Sequence, residues 1–304
     1  MPNAVAQMNQ IQILTDRALM FRPPNLHAQE IFLPMPVALE VGEYTQYDRD
    51  LFVLPDDLRA DGTESNKSEI GWKYVPYQTK EHALHDVITD RMRKNHPNEA
   101  LLENLKTEAL KRKVLNRLEY DAVQIMTNTA NNSYSTALGS PLDNLDTASP
   151  HTFIQQAVDA VELNCGLAAN TIAAAPNVLR AITRTTEWKE ERWHMEDLTL
   201  NDGIPDEMYG LKVIPFGSQV STNNKGQTKV PTSRLFGVNI WVGYVAPEEM
   251  LGPEMLSYGA TIFTEEYAWM WYEKALKGDK LEFGKIYVLK QIAKECGGLL
   301  TGAM

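Results

Sequence analysis

Tyr44-Thr-Gln-Tyr-Asp-Arg-Asp-Leu-Phe-Val-Leu54 and Ile70-Gly-Trp-Lys-Tyr-Val-Pro-Tyr77 are two β-prone runs separated by a polar stretch, Pro55-Asp-Asp-Leu-Arg-Ala-Asp-Gly-Thr-Glu-Ser-Asn-Lys-Ser-Glu69. Asp61-Gly62 is the turn signal. The pattern predicts a long two-stranded hairpin with a charged tip. Isolated ribbons of two strands are marginal in water, and one this long cannot bury both faces on itself. It must lie on another surface. If that surface is a second copy of the chain, the protein is a lattice subunit and not a solitary enzyme. Candidate contact residues on the ribbon are Tyr44, Tyr47, Phe52, Trp72, Tyr74 and Tyr77 as aromatic anchors, with Arg49, Arg59, Lys67 and Lys73 pairing at the rim.

Outward from the hairpin, residues 1–43 read as an arm. Pro23-Pro24, Pro34 and Pro36 break any long helix, and Ile31-Phe-Leu-Pro-Met-Pro-Val-Ala-Leu39 is too proline-rich for a central strand. It suits an extended strap across a neighbour. On the other side, Glu81 to Met92 reads as a short helix that breaks at Asn95-His-Pro97, with Pro97 in the first turn of the next helix. That helix runs to about Thr127. Leu110, Val114, Leu118, Ala122 and Met126 recur every four residues as an apolar stripe, while Lys106, Lys111, Arg112, Lys113 and Arg117 fall on the other face. At roughly 30 residues it spans about 45 Å and reads as a spine.

Asn128 to Pro150, rich in Asn, Ser and Thr, is the clearest internal boundary. Beyond it the texture is α/β. Phe153–Asn164 reads as an amphipathic helix, Thr171–Ala175 as a buried strand, and Pro176–Arg184 as a helix with proline at its start. Leu211–Phe216 and Val238–Val245 read as strands, and Ser221–Arg234 as a polar loop. Thr264–Lys277 has helix propensity, yet Tyr267, Trp269 and Trp271 alternate with Ala268, Met270 and Tyr272. A strand turning at Gly278-Asp279 into Leu281–Lys290 is the preferred reading, with the helix left open.

The chain has 304 residues, 43% of them hydrophobic and 23% charged, with a net charge of -11. That is enough for one large domain or two modest ones. No basic run stands out, so gripping a nucleic-acid backbone is not the main task of this surface. Cys165 and Cys296 form no disulfide framework, which makes reduced and intracellular the expectation. No apolar run reaches the roughly 18 residues of a membrane span, and no signal peptide is evident.

Catalytic signatures are sparse. There is no phosphate-binding loop, dinucleotide fingerprint or nucleophile elbow. His82 and His85 lie three apart on the expected helix without a third ligand, and read as a solvated or interface pair. His151 reads as part of a helix start, and His194, near Glu196 and Asp197, as a non-catalytic residue. Asp56-Asp57, Glu190-Glu191 and Glu265-Glu266 read as solvated faces. The aromatic stripe at 267–272 reads as core or interface packing before a stacking platform. No catalytic, cofactor-binding or metal site is expected.

The order of arm, hairpin, spine helix, connector, α/β domain and terminal β return resembles the major capsid proteins of tailed bacteriophages, with their Hong Kong 97 fold. Ala169-Asn170-Thr171-Ile172-Ala173-Ala174-Ala175-Pro176-Asn177-Val178-Leu179-Arg180-Ala181-Ile182 looks like that family's axial strand-and-helix element. Tyr209-Gly-Leu-Lys-Val-Ile-Pro-Phe-Gly217 and Asn239-Ile-Trp-Val-Gly-Tyr244 resemble the strands that follow it. The resemblance implies an α+β fold with residues 1–43 as N-terminal arm and 44–79 as extended loop. Residues 80–150 would be the peripheral domain with the spine helix, 151–258 the axial α/β domain, and 259–304 the return to peripheral strands.

By the same resemblance, the function is self-assembly into hexamers and pentamers of an icosahedral shell enclosing double-stranded DNA without sequence-specific contact. The implied partners are further copies of itself, a separate scaffolding protein, a portal and decoration proteins, with no membrane. The site of action is the virion, after synthesis in the host cytoplasm. The family's founding member cross-links a loop Lys to an Asn of a neighbour. Here Lys67 and Lys73 have no matching Asn or Glu, so no such bond is expected. The alternatives are an encapsulin-type compartment shell and, in a different class, an intracellular enzyme with a lid hairpin.

Overall fold

The computed structural model describes residues 18, 20, 21, 23, 26–47, 58, 59, 64, 65, 72–139, 142, 144–192, 200, 201, 203–220, 233–247 and 256–303. In chain order, α1 (Ala28–Ile31) leads into β1 (Phe32–Pro36), and β2 (Val41–Tyr47) is followed by β3 (Trp72–Gln78). Then come β4 (Lys80–Thr89), α2 (Asp90–Asn95) and the long α3 (Glu99–Met126). Next are β5 (Tyr134–Ala137), α4 (Pro150–Cys165), β6 (Thr171–Ala174), α5 (Pro176–Ile182) and α6 (Thr186–Arg192). Short strands β7 (Leu200–Asn201), β8 (Ile204–Pro205) and β9 (Glu207–Met208) precede β10 (Leu211–Pro215), β11 (Gln219–Val220), β12 (Ser233–Arg234) and β13 (Ile240–Gly243). The chain closes with β14 (Gly259–Glu273), β15 (Gly278–Gln291) and β16 (Gly297–Thr301).

The spine helix forms where the periodicity places it. Asn98 caps it, its side-chain oxygen accepting from Leu101 N at 3.2 Å, so Pro97 lies just outside the helix and not in its first turn. Its 28 residues span about 42 Å. Leu110, Val114, Leu118, Ala122 and Met126 are all buried, as the stripe predicts. A second buried stripe, Glu103, Thr107, Lys111, Leu115 and Glu119, runs beside it at the same spacing and is mostly polar. Lys111 therefore does not populate the solvent face. Each buried charge meets a partner from elsewhere in the chain, because an unpaired one would be prohibitively costly. Glu103 pairs with Arg93 at 2.7 Å, and Arg93 also reaches Asp279 of β15 at 2.7 Å. Lys111 meets Glu266 of β14 at 2.8 Å, and Glu266 meets Lys285 of β15 at 3.1 Å. Glu119 accepts the backbone N–H groups of His27 (3.1 Å) and Ala28 (2.7 Å), fixing the start of α1 to the spine.

The spine lies on one face of a four-stranded sheet ordered β1-β14-β15-β4. The strand reading of 264–277 is the one observed: β14 and β15 pair antiparallel through Glu273↔Gly278. The reversal comes at Lys274–Lys277, earlier than the expected Gly278-Asp279. Extra residue Thr264 makes a bulge that resets which side chains face the helix. Two expectations fail in this sheet. Residues 81–89 are strand β4 and not helix, since β15 offers them a ten-residue antiparallel ladder, Tyr287↔Lys80 to Gly278↔Thr89. Only Asp90–Asn95 remains helical, capped by Thr89. The proline-rich 31–39 segment is not a free strap either. Phe32–Pro36 pairs with Gly259–Phe263 of its own chain as a parallel edge strand, the position where proline is tolerated.

The second sheet has six strands, ordered β5-β16-β13-β6-β10-β9. The expected helix 153–164 lies within α4, which packs on β16 and β13. The predicted strands at 171–175, 211–216 and 238–245 are β6, β10 and β13. Asn170 extends the β6–β13 ladder with its side chain, donating to Val245 O (2.7 Å) and accepting from Val245 N (3.0 Å). The connector after the spine is part of this sheet: Tyr134–Ala137 pairs parallel with β16. The return of 259–304 to the first sheet describes the residues through Gln291, whereas Gly297–Thr301 crosses to the second sheet.

One core joins the two sheets. It contains Leu118 and Met126 of the spine together with Ile172, Trp241 and Leu300 of the second sheet. Asn132 is the polar pin at this junction. Its amide donates to Met126 O and Asn128 O, each at 2.9 Å, and its oxygen accepts from Trp241 Nε1 at 3.1 Å.

Candidate functional site: the ribbon and the outer sheet face

The hairpin exists at its base. β2 and β3 pair antiparallel from Val41↔Gln78 to Tyr47↔Trp72. Directly opposed residues share a face, so the register sorts the candidates. Gly42, Tyr44, Val75 and Tyr77 face the chain's own body. Tyr44 and Tyr77 are buried there, and their hydroxyls donate to Gln291 O (3.4 Å) and Leu39 O (3.3 Å). A Cβ on Gly42 would sit 2.7–2.9 Å from the Tyr77 ring, so only glycine lets that ring cross the ribbon. Tyr44 and Tyr77 are thus intrachain anchors and not contacts for a neighbour. Val41, Glu43, Thr45, Tyr74 and Pro76 form the opposite face, where Tyr74 is 63% exposed and Thr45, directly opposite it, is buried. Lys73, which the register places opposite Gln46 on the same face as Tyr44 and Val75, is exposed nonetheless, as is Arg59. Arg49, Phe52 and Lys67 lie outside the described residues, as do the side chains of Tyr47 and Trp72.

A second surface was only half legible in the sequence. The four-stranded sheet turns Glu266, Ala268 and Met270 toward the spine and Tyr267, Trp269 and Trp271 away from it. On that outer face Trp269 is 55% exposed, and Tyr267 meets it edge-on at 6.0 Å. Lys280 sits over the Trp271 ring at 5.4 Å, and the Tyr267 hydroxyl bonds Glu81 across the sheet. The strand alternation of these aromatics was the signal. Their exposure was not, because it depends on which face the spine covers.

The remaining candidates do not converge. In a strand, His82 and His85 project from opposite faces, which removes the suggested pair. His82 stacks on Tyr287 at 4.4 Å, and desolvation holds its imidazole below the ordinary range. His151 stacks on Tyr209 at 4.6 Å, and its backbone N–H donates to Glu187 at the start of α4. His194 and the loop 221–232 lie outside the described residues. Glu266 is no solvated acid but the centre of the buried ion triad. A cleft of about 390 Å³ lies between Glu30, Leu33, Asn170 and Lys212, with Glu30 and Lys212 bonded to each other at 3.2 Å and Asn170 committed to Val245. Among the described residues no cluster of three or more His, Cys, Asp or Glu could hold a metal, and no helix is long and apolar enough to cross a membrane.

No family model matches the sequence, and no curated protein matches it. The fold does match solved structures over nearly its whole length. A phage-related protein from Bordetella bronchiseptica RB50 is 16% identical with a TM-score of 0.77, covering 96% of this chain and 97% of its own. The capsid protein of cyanophage P-SCSP1u is 9% identical with a TM-score of 0.62, over 92% of this chain and 88% of its own. An encapsulin from Synechococcus elongatus PCC 7942 is 13% identical with a TM-score of 0.51, over 99% and 95%. The fold is therefore the mixed α+β, Hong Kong 97-type fold of phage major capsid proteins.

Proposed function

We propose that this chain is the major capsid protein of a tailed bacteriophage, a non-enzymatic subunit that self-assembles as hexamers and pentamers into an icosahedral shell around double-stranded DNA. The observation that supports this most is the near full-length match, at a TM-score of 0.77, to a phage-related protein. In this reading residues 1–43 are the arm, 44–79 the extended loop, 80–150 the peripheral domain, 151–258 the axial domain, and 259–304 the return, with Tyr134–Ala137 and Gly297–Thr301 joining the sheet of the axial domain. The net charge of -11 suits a wall that encloses DNA without gripping it. A scaffolding protein, a portal and decoration proteins are the further partners, and the virion is the place of action after synthesis in the host cytoplasm.

The ribbon works by association. Its base is held on its own subunit by Tyr44 and Tyr77, which leaves the outward face with Tyr74, and the charged tip beyond it, to meet the next subunit. Tyr47, Arg49, Phe52, Arg59, Lys67, Trp72 and Lys73 are the other proposed contacts. Each contact can be weak, because closed symmetry multiplies it. Deleting Asp56–Glu69 is expected to leave a folded subunit that forms no shells in negative-stain micrographs. Normal particles from the deletion would refute the clamp.

The match to an encapsulin supports a second reading, a shell around protein cargo. Particles isolated from the producing cell separate the two. Nuclease-protected double-stranded DNA supports the capsid, and a co-purifying enzyme without DNA supports the compartment.

A further inference from the structure

Cys165 is the last residue of α4, and Cys296 ends the single 3-10 turn just before β16. Separated by 131 residues, their sulfurs lie 2.7 Å apart, closer than two unbonded sulfurs normally rest. Both are free thiols, only 3% and 0% exposed. Their backbones are fixed independently: Cys296 O accepts from Tyr244 N at 2.9 Å, and the helix end is closed by Gly166 N donating to Glu162 O at 2.8 Å. Reaching a bonding distance of roughly 2.0 Å takes a small movement of two side chains and no rearrangement of the backbone.

We propose that Cys165 and Cys296 are a site of intrachain covalent cross-linking, in which a small two-electron oxidant of the peroxide class converts the thiol pair into a disulfide that staples α4 to the C-terminal strand. The roles of the two sulfurs differ. The hydrogen bond between them holds Cys165 below the ordinary thiol range against the opposing effect of burial, and pushes Cys296 well above it. Cys165, next to the exposed Gly166-Leu167 end of the helix, is the sulfur an incoming oxidant meets first and acts as the nucleophile. Its thiolate attacks one peroxide oxygen, the O–O bond breaks, and the departing hydroxide takes a proton to become water. Cys296 then attacks the resulting sulfenic sulfur. The S–S bond forms, the S–O bond breaks, and a second water leaves with the Cys296 proton. The balance is two thiols and one hydrogen peroxide to one disulfide and two waters. Burial selects a small oxidant over a bulky disulfide, and the exposed Gly166-Leu167 end of the helix is the side from which it enters. This inference rests on the fold alone and does not depend on the shell reading.

The test uses the purified full chain, reduced or treated with hydrogen peroxide, then unfolded in guanidinium and alkylated with iodoacetamide. Untreated protein is expected to take two labels. Treated protein is expected to take none, to run as a monomer on a non-reducing gel, to yield a Cys165–Cys296 linked peptide, and to melt about 5–10 °C higher. In Cys296→Ser, which keeps a hydrogen-bond donor beside Cys165, the reaction stops at the sulfenic acid, which dimedone present during unfolding captures. The wild-type comparison stands even if that variant does not fold. Two labels after peroxide, label loss through sulfinic acid, or interchain dimers would each overturn the proposal.

Discussion

Replacing Glu266 with alanine takes the shared carboxylate from two buried ammonium groups, leaving Lys111 with neutral partners such as Ala18 O, and the geometry sets the scale of the loss. Lys111 Nζ lies 2.8 Å from one carboxylate oxygen and Lys285 Nζ 3.1 Å from the other. At an effective dielectric of about 20, each contact is worth about 5–6 kcal/mol before desolvation. Desolvation of three charges and repulsion between the two lysines cancel most of that. Removing one partner of a buried pair typically costs about 3–5 kcal/mol, and with two cations left behind Glu266→Ala belongs at the upper end. For a chain of 304 residues that is a fall in Tm of about 5–8 °C, read by denaturant and thermal unfolding of the purified chain. The triple replacement Lys111→Met, Glu266→Leu, Lys285→Met removes every charge and is expected to recover most of the loss. The pH dependence has a definite sign. Burial alone would raise the Glu266 carboxyl, but the Lys285 and Lys111 ammoniums override it and hold it below the ordinary range. Its contribution is thus complete above the unfolded carboxyl value near about 4.3 and is lost as pH falls through the depressed folded value. A Glu266→Ala loss under about 1 kcal/mol at pH 7, or a triple variant no better than the single one, would refute the reasoning.

Glu119 has the opposite sign. Burial raises its carboxyl against the hydrogen bonds from His27 and Ala28, so stability declines as pH rises from the unfolded carboxyl value through the raised folded one. Glu119→Gln is expected to flatten that slope, while Glu119→Ala orphans two backbone N–H groups at about 1–3 kcal/mol. Equal losses in the two variants would remove the account. Asn132→Ala should cost about 2–3 kcal/mol in denaturant unfolding, and Asn132→Asp more, because a carboxylate would face the Met126 and Asn128 carbonyls. Tyr74→Ala and Trp269→Ala, both at exposed positions, should change subunit stability by no more than about 0.5 kcal/mol yet reduce the yield of shells by sedimentation. A large stability loss would return these residues to the core.

What the sequence revealed and what it hid follow from the range of the forces involved. The apolar stripe of the spine is a local signal, because one helix repeats it every turn. The polar stripe beside it is equally regular, yet nothing local says that Lys111 or Glu119 is buried; their partners, Glu266 and the His27–Ala28 backbone, lie 91 to 155 residues away. Residues 81–89 carry helix-tolerant side chains on an edge strand with much solvent contact, so only the ladder from β15 decides their state. The alternation around Trp269 favoured a strand but left a helix open, and the ladder with β15 decides it. Gly297-Gly298 looks like a loop signal, but a Cβ at 297 would meet the Tyr258 ring at 2.5 Å, so the glycine marks close packing inside β16.

The ribbon exposes the same limit at the site. Tyr44, Tyr74 and Tyr77 are chemically identical, and composition alone nominates all three as contacts for a neighbour. The pairing of Gly42 with Tyr77 and of Tyr44 with Val75 fixes two of them inward, and the period of two then requires Tyr74 to face out. A one-residue slip would reverse every assignment. The glycine that admits the Tyr77 ring therefore does more than relieve a clash. It permits the register that turns Tyr77 inward and leaves Tyr74 exposed.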